Sequence, residues 1–325
     1  MTTVMTNCRQ SSQLSIDTPY SIAILSSMSL EDTLRAWAQP PSETEQTKAE
    51  NAERVIRDAL NADTVLSSHN FRVFAQGSYK ARTNVRLNSD VDICVVCEDV
   101  HFYDLQFSDL TAAELPGTSP SLTFWQFRQL VEQALVARFG RAAVTRGKKA
   151  FDVHANTYRL DADVVAAFEF RRYNKRGPRG EATWTDGIAF VPDAGARIEN
   201  WPRQTYENGV AKNTRTSRCY KSVIRIMKRL RDAMQEDNIV AASNVGSFAI
   251  ESLIWNVPDP DFGGDTYAGV LRRALAHTFN NTLSDEACSD WGEVNELKYL
   301  FRGTSDLRPR LNAFLGAAWD YVSFD

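Results

Sequence analysis

Hydrophobic and polar positions change their period along this chain near residue 200. Before it, short runs of alternating or continuously apolar residues predict strands. These are Phe71 to Ala75, Asp90 to Val96, Ala150 to His154 and Tyr158 to Phe168, rich in β-branched and aromatic side chains. Helical spacing interrupts them at Leu30 to Trp37, from the Ser42 cap to about Leu60, and through Phe124, Phe127, Leu130, Val131, Leu135 and Phe139. The segments His101 to Pro120 and Arg171 to Gly180 read as loops.

Beyond Asn200-Trp201-Pro202 the period becomes helical. Thr214 to about Gln235 places Val223, Ile226, Met227 and Leu230 on one stripe and Lys221, Arg225 and Lys228 on another. Such a basic stripe is ordinarily a solvated face, though it is also placed to meet a triphosphate. Further helices are expected at Ser247–Trp255, Tyr267–Thr278, Trp291–Phe301 and Leu307–Tyr321. The pattern predicts an α+β fold: a flexible extension over 1–28, a strand-bearing core over 29–200 and a helical domain over 201–325.

The stretch from Gln76 to Asp92 joins a glycine-serine turn to two carboxylates. Gly77 lets the backbone approach a ligand closely, the turn after it offers N–H groups to phosphate oxygens, and Ser78 adds a hydroxyl. Asp90 and Asp92 are two residues apart on a strand and project from one side. Adjacent carboxylates repel unless a cation sits between them, and hard oxygen ligands beside phosphate suit Mg²⁺. Asp161 and Asp163 repeat the arrangement on the next predicted strand, where a third carboxylate would complete a two-metal site.

Composition narrows the class further. The chain has 325 residues, 43% hydrophobic and 24% charged, with a formal net charge of −4, which argues against a protein that coats nucleic acid. Five scattered cysteines fit a reducing cytoplasm rather than a disulfide framework, and Cys94 and Cys97 read as core residues of a strand. No stretch reaches the roughly 20 apolar residues of a membrane span.

Several motifs together resemble one family. Gly77-Ser78-Tyr79, Arg82-Thr83-Asn84-Val85, Ser89-Asp90-Val91-Asp92-Ile93 and Asp163-Val164-Val165 are similar to the polymerase-β-like nucleotidyltransferases. With Tyr206 to Asn213, Tyr220 to Leu230 and Ser247-Phe248-Ala249-Ile250-Glu251, they resemble the bacterial cGAS/DncV-like nucleotidyltransferases, near clade E. The resemblance implies a mixed-sheet nucleotidyltransferase core closed by a helical domain, and a cyclic oligonucleotide synthase whose product signals to an effector in anti-phage defence.

By that resemblance Asp90, Asp92 and Asp163 hold two Mg²⁺ ions, which Mn²⁺ can replace, with Asp161 the weaker rival for the third place. Gly77 and Ser78 bind the donor triphosphate, Lys221 and Ser247 contact phosphates, and Phe248 stacks on a base. Nucleoside triphosphates are the expected partners, ATP first and a pyrimidine such as UTP second, with no membrane or nucleic acid required. The family often has proline where this chain has Ala166, a change of strand rigidity rather than of chemistry.

Overall fold

A computed structural model describes residues 29–85, 90–115, 122–303 and 305–324. The extension expected over 1–28, and Arg86 to Ser89 ahead of the first aspartate, lie outside the described residues. The chain forms two compact units. One is Pro41–Arg203; the other joins Gln204–Asp325 to the chain before Pro41.

The first unit is a seven-stranded mixed sheet. Its strands are β1 (Phe71–Ala75), β2 (Val91–Asp104), β3 (Val144–Arg146), β4 (Phe151–Val153), β5 (Ala162–Tyr173), β6 (Trp184–Phe190) and β7 (Ile198–Asn200). The order is β1-β2-β5-β4-β3, with β6 on the far half of β5 and β7 beside β6. Only β2 and β5 pair in parallel. A parallel pair needs a crossover, and helix α4 (Phe124–Phe139) lies in it. Thr123 and Gln126 start that helix with a reciprocal capping box. Being central, β2 is buried on both faces from Ile93 to Cys97. Phe127, Val131 and Leu135 of α4 and Ala52, Ile56 and Leu60 of helix α2 (Glu43–Ala62) belong to the same core.

Helices make the second unit: α1 (Leu30–Trp37), α5 (Pro202–Arg215), α6 (Cys219–Glu236), α7 (Ser247–Trp255), α8 (Tyr267–Asn281) and α9 (Leu307–Tyr321). Val223, Met227 and Leu230 of α6 share a core with Ile250, Leu253, Leu271 and Phe314, as the stripe predicts. Leu34 of α1 lies in this core. Glu31 accepts from the Tyr267 and Ala268 N–H groups at the start of α8, at 3.0 and 2.9 Å, and Arg225 donates to the Ala38 carbonyl at 2.7 Å. The short helix is thus held at both ends.

The structure departs from the sequence expectation where polar side chains compete for the backbone. The helix expected from Thr214 is two, because the Thr216 hydroxyl and the Asn213 carboxamide accept from the Tyr220 and Lys221 N–H groups and start α6 afresh. No helix forms over Trp291–Phe301, where Asn295 accepts from the Leu297 and Lys298 N–H groups and folds a turn. The strand expected from Tyr158 begins at Ala162, since Asn156 takes the Tyr158 and Arg159 N–H groups. Pairing with β5 and β6 extends strand structure into both expected loops, to Asp104 and to Tyr173.

Candidate active site

Helix α3 (Gly77–Ala81) follows β1 directly, and its entry is tied to β2 by the Gln76 N–H donating to the Asp92 carbonyl at 2.8 Å. Gly77 has φ +65°, and a Cβ there would stand 2.1 Å from Asp92 Oδ2. Only glycine can therefore occupy the position while Asp92 keeps its place. Below the turn, buried Glu45 accepts from the Tyr79 hydroxyl at 3.0 Å and the Asn84 carboxamide at 3.1 Å. The glycine-serine segment so rests on buried hydrogen bonds that reach to α2.

The register of three neighbouring strands lines up the carboxylates. Asp92 on β2 is directly opposite Asp163 on β5, and Asp163 is directly opposite Asp152 on β4. Cross-strand partners share a face, so three aspartates stand abreast, with Asp90 and Asp161 immediately ahead of β2 and β5. Burial pushes the Asp163 carboxyl up, and the charges of Asp90 and Asp152 push it further. Asp90 is raised by burial and then by Asp161 and Asp152. These groups resist ionisation beside one another, and a divalent cation removes that penalty. The all-carboxylate donor set fits a hard ion such as Mg²⁺.

A histidine borders the row. Asp152, His154 and Asp161 place ligand atoms within 4.8 Å of one another, the group so assembled among the described residues. His154 Nε2 lies 3.0 Å from the Thr145 hydroxyl and Nδ1 lies 3.5 Å from Asp152, while Asp161 Oδ1 accepts from the Ala155 N–H at 2.6 Å. That bond engages one oxygen of Asp161 with its own loop, whereas Asp163 faces Asp92 across the strand pair.

In the helical unit, Lys221 lies near the start of α6 with its ammonium 5.8 Å from the centre of the Tyr206 ring. Ser247 and Phe248 open α7, where Gly246 provides no capping side chain. Ser247 Oγ accepts from Arg231 at 3.1 Å, and Phe248 is 50% exposed, a large apolar ring left facing solvent on a helix start. A separate cavity of about 520 Å³ in this unit is lined by Arg35, Arg215, Arg218 and Tyr267, among others, and by none of the expected site residues.

Over residues 207–323 the chain matches the C-terminal helical domain of the cGAS/DncV-like nucleotidyltransferases. It is 42% identical over 301 residues to a cyclic dipyrimidine nucleotide synthase of Legionella pneumophila, covering 91% of this chain and 99% of the relative. The chain belongs to the cGAS/DncV-like nucleotidyltransferases. A cyclic dipyrimidine nucleotide synthase of Cecembia lonarensis is 38% identical over 90% of this nucleotidyltransferase and 98% of its own length. The Elizabethkingia meningoseptica cyclic dinucleotide synthase, solved with GTP and Apcpp, is 32% identical, with TM-score 0.74 over 90% of this chain and 99% of that one. As in the family, the catalytic chemistry is nucleotidyl transfer.

Two features of this nucleotidyltransferase were not readable beforehand. Asp152 sits on a three-residue strand whose single aspartate reads as an ordinary polar position; only the pairing of β4 with β5 brings it beside Asp163. The basic stripe needs correction. Arg225 and Lys228 are buried, bonded to Ala38 and Glu251 within the helical unit, and neither is a solvated face nor offered to a triphosphate. Lys221 alone of the three is half-exposed. Cys94 and Cys97 are free, buried core residues, as expected. No helix among the described residues is long and apolar enough to cross a membrane.

Proposed function

We propose that this nucleotidyltransferase is a cytoplasmic cyclic dinucleotide synthase that joins two pyrimidine nucleoside triphosphates and releases pyrophosphate in each of two rounds. The observation that carries the chemistry is the pairing of Asp92 with Asp163, on one face beside the glycine that abuts Asp92. The pyrimidine assignment, in place of the ATP that the sequence alone favoured, rests on the two relatives that are cyclic dipyrimidine nucleotide synthases.

In this reading Asp90, Asp92 and Asp163 would hold two Mg²⁺ ions, or Mn²⁺ in their place. When bound, such ions neutralise phosphate charge and lower the pKa of a coordinated hydroxyl. The chain's own groups do the rest. N–H groups of the Gly77-Ser78 turn and the Ser78 hydroxyl take oxygens of the donor triphosphate. Lys221 and Ser247 take phosphate from the helical unit, and Phe248 stacks on a base. Asp163, ionised once the cations are bound, would accept the proton of the attacking ribose hydroxyl. The new ester forms at the α-phosphorus as the bond to pyrophosphate breaks, and a second round closes the ring. The product acts as a second messenger to an effector in anti-phage defence, a role that rests on the family resemblance.

The test is incubation with the four ribonucleotides, each α-labelled in turn, with Mg²⁺ or Mn²⁺ and then phosphatase, beside an Asp90→Ala/Asp92→Ala control. A phosphatase-resistant product labelled from UTP or CTP, absent from the control, is expected. Label on a macromolecule instead would replace cyclisation with transfer to another acceptor, and a product labelled only from purines would overturn the pyrimidine assignment.

A further inference from the structure

One face of α6 carries a polar seam that the nucleotide reading does not use. Lys228, Arg231 and Gln235 are spaced three and four apart, so they lie along one side of the helix. Arg231 and Gln235 reach the segment that leads into α7, and Lys228 reaches α7 itself. Lys228 pairs with Glu251, and Gln235 donates to the Ala242 carbonyl at 2.8 Å. Arg231, between them, has its side chain 6% exposed. Its Nη1 donates to the Val245 carbonyl at 3.0 Å and to Ser247 Oγ at 3.1 Å, while Nε and Nη2 donate to Asp232 Oδ1 at 2.9 and 2.6 Å.

The chemistry of these two groups fixes a direction. A guanidinium has donors and no acceptor, whereas a hydroxyl has one proton and two lone pairs. Ser247 Oγ must therefore be the acceptor, and its own proton points away from Arg231. Among the described residues that proton has no acceptor. Asp232 balances the guanidinium charge at close range, so what Arg231 supplies to Ser247 is orientation rather than net field.

We propose that Arg231 is a positioning residue that locks Ser247 as a hydrogen-bond donor to a substrate phosphate. Its second bond, to the Val245 carbonyl, holds the turn from which Ser247 and Phe248 project. The proposal rests on the reading above that Ser247 contacts the nucleotide. It adds a buried residue of the neighbouring helix α6, through which affinity for the triphosphate is set.

The experiment measures KM for UTP, kcat, melting temperature and the Kd of α,β-methylene-UTP for Ser247→Ala, for the charge-neutral pair Arg231→Gln/Asp232→Asn, and for all three changes together. Losing one hydrogen bond to a charged group weakens binding roughly 10- to 100-fold. Ser247→Ala and the charge-neutral pair are each expected to raise KM and Kd by that factor with kcat nearly unchanged. The triple variant is expected to be no worse than Ser247→Ala, because Arg231 acts through Ser247. Multiplying effects, or a lower melting temperature with unchanged Kd, would make Arg231 a structural residue and overturn the proposal. An unchanged Kd for Ser247→Ala would instead overturn the nucleotide contact itself. Should the charge-neutral pair fail to fold, Arg231→Lys keeps the charge but not the fork; a raised Kd at unchanged melting temperature supports positioning, and a wild-type Kd refutes it.

Discussion

Replacing Asp163 by Asn should make the metal-free protein more stable while abolishing synthesis. Asp163 is half-buried between two cross-strand carboxylates, and both burial and neighbouring charge raise its pKa. The sign follows: the folded state holds this proton to higher pH than the unfolded state does. Stability is therefore lost as pH rises from the ordinary aspartate range through the folded value, and at neutral pH the ionised group is a net cost. Same-face neighbours lie about 5 Å apart, and unit charges at that distance repel by about 3 kcal/mol at an effective dielectric of 20. Partial exposure reduces this to on the order of 1 kcal/mol per neighbour. For a unit of this size each such contribution corresponds to roughly 2–4 °C in Tm. Thermal melting in EDTA and in millimolar Mg²⁺ checks it. The Asn variant should melt above wild type in EDTA, and wild type should gain more from Mg²⁺ than the variant does. A variant that melts at or below wild type in EDTA, with equal gains from Mg²⁺, would refute the view that these carboxylates are held together against their repulsion for a cation.

Three more outcomes are expected. Gly77→Ala places a methyl group on the Asp92 carboxylate at a left-handed backbone position, so the protein should fold yet lose about 100-fold in kcat/KM, the scale of a 1 Å misplacement. Phe248→Ala removes a ring that is already half exposed; Tm should hold, while nucleotide affinity falls by about 1–3 kcal/mol, read by calorimetric titration. Burial depresses the pKa of His277, which stacks on Trp291 with ring centres 5.8 Å apart. The unfolded chain takes up a proton at higher pH than the folded one, so stability present above about pH 6.5 is lost as pH falls below it, and His277→Phe should flatten that slope in a series of denaturant melts.

The parts of the fold that obey a local period were legible in the sequence. The β2 run from Val91 to Cys97 and the α6 stripe are continuous apolar patterns, and each lies in the expected element and core. The spacing of Asp90 with Asp92 and of Asp161 with Asp163 was likewise readable, because a strand period of two assigns faces without knowing partners. What stayed hidden depends on which elements meet. Asp152 became a neighbour of Asp163 only through β4–β5 pairing, and Arg225 and Lys228 have the sequence spacing of a solvated face yet find buried acceptors on α1 and α7. The turn over Trp291–Phe301 was missed for a different reason: one asparagine accepting from two backbone N–H groups outweighs an apolar period.

Clasping α1 by Glu31 and Arg225 has a consequence for biosynthesis. The segment is translated ahead of the sheet unit, yet its docking site on α6 and α8 is made from residues beyond 218, after the whole sheet unit has been translated. Leu34 must wait unburied through that interval, so the sheet unit folds as an insertion within a helical unit that is still incomplete. A fragment beginning at Gln204 would carry a bare socket where Leu34 belongs, and two polar anchors, Arg225 and the first turn of α8, with nothing to hold.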